Sequence, residues 1–490
     1  INDENIYFSE HHLSHAASAF YPSPFEKAII LTADGVGEWA TTTVAIGNKE
    51  DLEIKKEIHF PHSLGLLYSA FTYYCGFRVN SGEYKLMGLA PYGKPIYESL
   101  IKEKLISIKN DGSFGLEQKY FNYSTGLTMT NEKFNNLFGE KNRKPEEELT
   151  QFHMDIAASI QKVIEEIMIK IVTKLKEQYN LNNLCLAGGV ALNCVVNGKI
   201  FEKKIFDKIW IQPAAGDAGC SVGAALAFWY QDLKKKRSST LKDEMNGSYL
   251  GPQFEPNEIE EELKNLGANY KIFQEDDVIN ETAKLISQGK AIGWFQGRME
   301  FGPRALGGRS ILADPRDPKM RKNLNLKVKF RESFRPFAPS ILSEKVAEWF
   351  NYDEQSPYML IVSGVKSDKR KFNEEQNLKL KGFEKLSIER SKIPAVTHVD
   401  YSARIQTVDG KFNYKYYLLL QKFEDLTGCP ILINTSFNIR GEPIVCSIQD
   451  AFNCFMGTNL DYLVIENFIL NKLDQKEKLN TDYKNQFKLD

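Results

Sequence analysis

NLCLAGGVALN, at residues 183–193, has the pattern of a buried strand that turns through two glycines into a helix. The stretch KIWIQPAAGDAGCSVGAALAFWY, at residues 208–230, repeats the pattern of apolar strand, glycine turn and apolar helix. Residues 151–178 come before both and carry isoleucines at the spacing of an amphipathic helix. Alternating strands and helices of this kind predict an α/β domain.

Other patterns extend this prediction to the rest of the chain. Residues 28–47, AIILTADGVGEWATTTVAIG, predict a β-hairpin whose first strand ends at Asp34-Gly35. The charged and polar segment 236–248 predicts a linker between a first domain at 1–235 and a second at 249–490, which ends in a C-terminal tail. In the second domain we expect strands at AIGWFQGR (291–298), PFAPSIL (336–342), YYLLLQKF (416–423) and CPILINTSF (429–437).

Composition excludes several classes of function. The 490 residues include 63 basic and 64 acidic side chains, a net charge of −1, which argues against broad nucleic-acid or membrane-surface binding. The sequence contains no run of about 18 apolar residues and therefore predicts no membrane span. The seven cysteines form no C-x-x-C pair, so we expect reduced core residues in a cytoplasmic protein.

Histidine chemistry is concentrated near the start of the chain. His11 and His15, in EHHLSHAASAF (10–20), are four residues apart and would share one face of a helix. Two imidazoles in that arrangement can bind one transition-metal ion. By themselves they fit a polar helix start with surface histidines better than a metal site.

Glycine-rich turns mark candidate sites for phosphate, metal or polar substrate groups. Such turns let backbone N–H groups approach a ligand closely. One turn contains Asp34 and another contains Asp217, whose alternative role is that of a helix N-cap. The residues expected to contact a nucleotide are Gly35, Gly188, Gly189 and Asn193.

The second half of the chain concentrates cations. Residues 297–316 and 327–340, GRMEFGPRALGGRSILADPR and KVKFRESFRPFAPS, contain Arg298, Arg304, Arg309, Arg316, Lys327, Lys329, Arg331 and Arg335. Arginine binds phosphate oxygens in a bidentate manner, so these residues predict a pocket for a triphosphate or an acyl phosphate. A solvated basic face is the alternative.

The order of these motifs resembles a known family. The H-x-x-x-H pair and the later glycine turns are similar to the nucleotide-binding fold of actin, Hsp70 and sugar kinases, and to the metal-containing branch found in tRNA threonylcarbamoyl-transfer proteins. GEYKLMGLAPYG (82–93), GRMEFGPRALGGRS (297–310) and NTSFNIRGEP (434–443) resemble the NodU/CmcH group of O-carbamoyltransferases, which includes the tobramycin enzyme. The pairs Lys329-x-Arg331 and Ser436-x-Asn438 are similar to those of YrdC-like domains.

The resemblance implies a fold and a set of site residues. The fold would be an actin/Hsp70-like nucleotide-binding domain lacking its first strands, fused to a YrdC-like α/β domain. An iron ion or another divalent transition metal would bind His11, His15 and Asp217. ATP with Mg²⁺ and carbamoyl phosphate would bind the second domain through Arg298, Arg304, Arg309, Lys329, Arg331, Ser436 and Asn438. Asp34, His12 and His62 are candidates to contact the acceptor or take its proton, and Lys329 and Arg331 would act in catalysis.

The implied reaction has two stages. Carbamoyl phosphate would lose its phosphate, and the carbamate would attack ATP to give carbamoyl adenylate and pyrophosphate. The carbamoyl group would then pass to a hydroxyl group of a small-molecule acceptor at the metal.

One departure from the family pattern concerns the start of the chain. Members normally carry a glycine-rich strand pair about a hundred residues before the H-x-x-x-H motif, and this chain begins at Ile1 without it. The segment either precedes Ile1 in a longer protein, is supplied by a separate N-terminal chain or a homodimer, or is absent, which would leave the transfer site incomplete.

Three alternatives differ in activity. A tRNA threonylcarbamoyl-transfer enzyme would keep the fold, but it would more often have a basic surface. A metallopeptidase needs H-E-x-x-H, and His12 stands in the place of its glutamate. A non-catalytic nucleotide-binding homologue would bind ATP without forming pyrophosphate.

Overall fold

A computed structural model of the chain describes residues 6–237, 242–371, 380–476 and 483–488. It divides into two compact units, Ile1–Met245 and Asn246–Asp490. The expected linker at 236–248 spans that division, and residues 238–241 lie outside the described residues, as do parts of the C-terminal tail.

The first unit is built on a five-stranded sheet. The strands of this unit are β1 Lys27–Gly37, β2 Ala40–Asn48, β3 Asp51–His59, β4 Ile106–Ile108, β5 Phe114–Leu116, β6 Asn183–Ala187 and β7 Lys208–Ile211. Its helices are α1 His11–Phe20, α2 Leu64–Tyr74, α3 Glu83–Leu89, α4 Glu98–Lys104, α5 Glu132–Phe138, α6 Gln151–Tyr179, α7 Cys194–Glu202 and α8 Ala218–Ala227. The large sheet has the order β3-β2-β1-β6-β7. The first three strands form an antiparallel meander, and β6 and β7 run parallel to β1.

The structure confirms the helix at 151–178 and the hairpin at 28–47, with one correction. The first strand does not end at Asp34-Gly35; β1 continues to Gly37. Its register against β2 shifts between Ala33 and Gly37. A bulge of this kind keeps the strand paired while it redirects the intervening side chains, so Asp34 stands inside the strand.

Helices α1 and α8 pack closely together. A Cβ atom on Gly223 of α8 would lie only 1.8 Å from the carbonyl oxygen of Ser14 in α1. Glycine is therefore required where the two helices meet. Since α1 also packs on β1 and β6, this contact brings the start of α8 to the centre of the sheet.

Gly188 gives a first testable prediction. Its φ is +85°, and an added Cβ would lie 2.2 Å from the carbonyl oxygen of Ala33. We expect Gly188→Ala to lower the free energy of unfolding by about 2–3 kcal/mol, because the turn would be strained and the strand displaced. Urea unfolding measures this. Gly35→Ala is the control, since its Cβ would meet only Leu66 Cδ2 at 4.0 Å; an equal loss in both variants would contradict the argument.

The second unit contains a nine-stranded mixed sheet. Its strands are β8 Lys271–Ile272, β9 Ile292–Phe295, β10 Arg309–Ala313, β11 Ala338–Leu342, β12 Ile361–Gly364, β13 Ser402–Val408, β14 Ile431–Ser436, β15 Tyr462–Ile465 and β16 Phe468–Asn471. Its helices are α9 Pro256–Asn265, α10 Glu275–Ser287, α11 Met320–Asn323, α12 Val346–Trp349, α13 Tyr414–Thr427 and α14 Ile448–Gly457. The strand order is β12-β13-β11-β14-β10-β9-β15-β16-β8. Both units therefore belong to the mixed α/β class.

One predicted strand is wrong. YYLLLQKF lies within helix α13, which buries Tyr416, Leu419, Leu420 and Phe423. These positions follow the i, i+3, i+4, i+7 pattern of a helix. Asn413 caps the start with its side chain, and Gly428 ends the helix in the left-handed region. A short apolar run fits either structure, and here the caps decide.

Within the described parts of the chain, no helix combines the length and apolar character needed to cross a membrane.

Candidate functional site

Four side chains of the first unit converge on one point. His11 Nε2 lies 3.0 Å from Asp34 Oδ2 and 3.6 Å from Asp217 Oδ1. His15 Nε2 lies 3.2 Å from Asp34 Oδ2 and 3.7 Å from Asp217 Oδ1. The two Nε2 atoms are 3.1 Å apart. We call these four residues the His–Asp cluster.

Helix α1 and strand β1 fix the positions of three of these side chains. Helix α1 presents both histidines on one face, as their spacing predicts. The other oxygen of Asp34 accepts a hydrogen bond from the backbone N–H of Gly189 at 2.9 Å. The turn after β6 therefore orients the carboxylate that β1 carries.

Asp217 stands at the position before α8, and its side chain does not cap that helix. The side chain is 77% exposed, whereas that of His15 is completely buried. The alternative role of Asp217 as an N-cap is therefore wrong in this structure. Its carboxylate instead forms the open side of the cluster.

The carboxylates favour the charged form of His15. Burial disfavours the charged imidazole of His15, but hydrogen bonds to Asp217 and Asp34 outweigh it and raise its pKa to about 11. Burial likewise works against the Asp34 carboxylate, yet its bonds to His11 and His15 hold its pKa well below the usual range.

The donor set fits a transition-metal ion. Two imidazole nitrogens and two carboxylate oxygens lie within 4.8 Å of one another. Bonds of about 2.1 Å place neighbouring ligands about 3.0–3.4 Å apart, close to the separations seen here. Such borderline ligands suit iron, zinc or manganese. Asp34, which the sequence analysis assigned to catalysis, thus joins the predicted ligands His11, His15 and Asp217 as a fourth candidate.

The candidate bases His12 and His62 both make contacts within the fold. His12 is 2% exposed, and its Nδ1 lies 2.7 Å from Thr32 Oγ1. Burial, with a smaller contribution from His15, lowers the pKa of His12 to about 4. His62 Nδ1 accepts the backbone N–H of Leu116 at 3.0 Å. These contacts give both histidines structural roles.

The residues of the glycine-rich turns that were expected to contact a nucleotide have different roles in the structure. Gly35 lies inside β1, Gly188 packs against the backbone of Ala33, and Gly189 supports Asp34. Asn193 caps α7 through its side chain and exchanges hydrogen bonds with Gln161. The structure therefore brings Gly188 and Gly189 to the His–Asp cluster and uses Asn193 to start a helix.

In the second unit, the two motif pairs come together around Lys329. Its Nζ donates to the carbonyl oxygens of Ser436 and Asn438, each at 2.7 Å. It also donates to Asn438 Oδ1 at 2.6 Å and Ser436 Oγ at 3.2 Å. The loop before β11 and the end of β14 are thereby joined through one ammonium group.

Lys329 is buried in a cationic environment. Burial and the neighbouring Arg331 lower its pKa well below the usual range, and Arg335 contributes in the same direction. Arg331 Nε donates to Asn325 Oδ1 at 2.7 Å, and its guanidinium stacks on Phe337. An anion beside Lys329 and Arg331 would relieve this repulsion.

The remaining arginines do not gather in one pocket as expected. Arg309 is fully buried; it donates to the carbonyl oxygens of Gln296, Gly297, Gly308 and Pro252 and stacks on Phe295.

Arg316 pairs with Asp314, and Arg298 is exposed and donates to the Leu250 carbonyl at 3.2 Å. Arg304, which lies between these two arginines in the sequence, is half-buried. In addition to burial, Arg331 and Arg335 both lower the pKa of Lys329, so these three of the eight expected cations lie near one another.

The sequence did not predict the contacts that hold the loop of Asn438 next to Lys329. Glu442 accepts the backbone N–H of Ile439 at 2.7 Å, and its carbonyl accepts Asn438 Nδ2 at 2.6 Å. The hydroxyl of Tyr483 donates to the Glu442 carboxylate. Residues 483–488 thus contact the loop that carries Asn438. The contact could not be predicted because the two segments are far apart in the sequence.

Removal of the Tyr483 hydroxyl should loosen this loop. We expect Tyr483→Phe to lower the free energy of unfolding of the second unit by about 1–3 kcal/mol, because the buried Glu442 carboxylate would lose a donor. Urea unfolding measures this. Tyr414→Phe, at a tyrosine that is 64% exposed, should change little. Equal stability of Tyr483→Phe and the unchanged protein would show that the hydroxyl does not support the loop.

Comparison with protein families identifies both units. The family model described as carbamoyltransferase N-terminus matches residues 1–226, and the one described as carbamoyltransferase C-terminus matches residues 283–472. The first match contains the His–Asp cluster, and the second contains Lys329, Ser436 and Asn438.

Individual relatives agree with the family models. An uncharacterised protein of Synechocystis sp. is 57% identical over 99% of this chain and 79% of its own length. Nodulation protein NolO of Bradyrhizobium diazoefficiens is 37% identical over 94% of this chain and 78% of its own. Nodulation protein NolNO of Sinorhizobium fredii is 39% identical over 96% of this chain and 65% of its own.

These matches confirm the resemblance to the NodU/CmcH group. With the N-terminal and C-terminal models in the expected order, and with relatives that align over nearly the whole sequence, the chain belongs to the carbamoyltransferase family.

Proposed function

We propose that the protein is an ATP-dependent O-carbamoyltransferase. It uses carbamoyl phosphate and ATP with Mg²⁺ to form carbamoyl adenylate, and transfers the carbamoyl group to a hydroxyl group of a small-molecule acceptor. The observation that carries this proposal is the contact of Lys329 with both Ser436 and Asn438.

Activation belongs to the second unit. Carbamoyl phosphate and ATP are both anions, so their reaction needs cations that offset repulsion. Burial and Arg331 lower the pKa of Lys329, and an anion bound beside these two residues would favour the charged form of the lysine. Water first hydrolyses carbamoyl phosphate to carbamate and inorganic phosphate. A carbamate oxygen then attacks the α-phosphorus of ATP, the bond from that phosphorus to the α–β bridging oxygen breaks, and pyrophosphate leaves.

Ser436 and Asn438 orient Lys329 for this step. Their four oxygen contacts fix the position of Nζ. A charged group held in place before the reaction requires no rearrangement as charge develops, which favours catalysis. Glu442 and Tyr483 act one contact further away, through the loop of Asn438.

Transfer belongs to the first unit. An iron ion or another divalent transition metal, held by His11, His15, Asp34 and Asp217, would polarise an oxygen of the carbamoyl donor or of the acceptor. Asp217 and the half-buried His11 face solvent, which gives a substrate its access. The side chains of Asp34 and His15 are more buried than those of His11 and Asp217 and would hold the metal in place.

The finer description of the fold is part of the same proposal. The antiparallel meander followed by two parallel strands is compatible with one half of an actin-like domain. The mixed sheet that carries Lys329 on a loop is compatible with a YrdC-like domain. The glycine turn beside Asp34 supports the first assignment, and the paired motifs around Lys329 support the second.

The test is pyrophosphate release from ATP by the full chain, with and without carbamoyl phosphate. We expect release only when carbamoyl phosphate is present. Acetyl phosphate serves as the control, because it supplies an acyl phosphate without a carbamoyl group. Absence of release from folded protein, or equal release with acetyl phosphate, would contradict the proposal.

A further inference from the structure

Cys220 lies beside the His–Asp cluster and has no role in the proposed reaction. It is in the first turn of α8, three residues after Asp217, so both side chains lie on the same side of the helix. Its Sγ lies 3.8 Å from the carbonyl oxygen of His11. The thiol is half-buried.

The sulfur is within reach of a metal shared with the histidines. Cys220 Sγ and one ring nitrogen from each of His11 and His15 lie within 4.8 Å of one another. Among the described residues, no other cysteine belongs to a group of three or more metal-ligand side chains.

We propose that Cys220 is an alternative metal ligand, so that the site has two sets of donors that share His11 and His15. One set adds the carboxylates of Asp34 and Asp217, and the other adds the Cys220 thiolate. This inference rests on the metal centre of the proposed function and extends it. It assigns the site a second class of ion.

The two sets differ in chemical softness. Carboxylates favour harder ions such as Mn²⁺, whereas a thiolate favours Zn²⁺ and Co²⁺. When the sulfur binds, the S–H bond breaks, a metal–sulfur bond forms and the proton passes to solvent. The identity of the bound ion therefore depends on which set closes around it.

Cobalt titration of the full chain tests the proposal. Co²⁺ bound to a thiolate gives a sulfur-to-metal charge-transfer band in the near ultraviolet, and bound Co²⁺ can be counted separately by equilibrium dialysis. The variants are Cys220→Ser and Cys220→Ala. Cys446→Ser is the matched control, since Cys446 is the other half-buried cysteine and lies in the second unit.

We expect the band in the unchanged protein and in Cys446→Ser, and its complete loss in both Cys220 variants. Those variants should still bind Co²⁺ through the carboxylates, with weaker Zn²⁺ binding and unchanged Mn²⁺ binding. Bound Co²⁺ without a band in the unchanged protein would overturn the role of Cys220 and leave the metal centre standing. No bound Co²⁺ at all would overturn both.

Discussion

Lys329→Met is expected to abolish carbamoyl-phosphate-dependent pyrophosphate release. The variant keeps the length of the buried side chain but removes the charge that Ser436 and Asn438 hold in place. Loss of one fixed group that stabilises transition-state charge typically costs about 10²–10³-fold in rate. The effect should appear in kcat as well as in the affinity for ATP.

The control for this variant is Lys327→Met. Lys327 is exposed, two residues away, and carries the same charge. It should keep the rate of the unchanged protein. Far-ultraviolet circular dichroism of both variants checks that the second unit is folded. Retention of more than about a tenth of the activity in folded Lys329→Met would contradict the assigned role, because the expected loss is larger.

His15→Ala is expected to remove nearly all bound transition metal. His15 is completely buried, and its Nε2 lies within 3.7 Å of a ligand atom on each of the other three residues of the cluster. Its loss leaves the carboxylates of Asp34 and Asp217 and the imidazole of His11, and the side chain of Asp217 is exposed. Metal content per chain, measured by mass spectrometry after reconstitution, should fall from about one to near zero.

His59→Ala is the matched control for metal content. His59 belongs to the same unit, but its side chain is 60% exposed and pairs with Glu57. It should bind metal like the unchanged protein. An unchanged metal content in His15→Ala would contradict the proposed centre.

Much of the fold could be predicted because its patterns are local. The i, i+4 spacing of His11 and His15 and the apolar period of 151–178 each specify one helix face. The strand predicted at YYLLLQKF is wrong because a short apolar run fits either a strand or a helix, and the helix caps Asn413 and Gly428 lie outside the run.

The site was only partly predictable because it depends on contacts between distant residues. Asp34 and Asp217 are brought to the histidines by a strand bulge and by the contact of α1 with α8. Arg309 has the sequence setting of a phosphate ligand, yet its burial commits it to backbone carbonyls. No local pattern connects Tyr483 to Glu442.

The central claim is that carbamoyl activation occurs in the second unit and does not require the metal centre of the first. The most direct test is pyrophosphate release by His15→Ala, freed of metal and supplied with Mg²⁺-ATP and carbamoyl phosphate. The account predicts carbamoyl-phosphate-dependent release at a rate close to that of the unchanged protein. Loss of that release in a folded variant would contradict the division of the reaction between the two units.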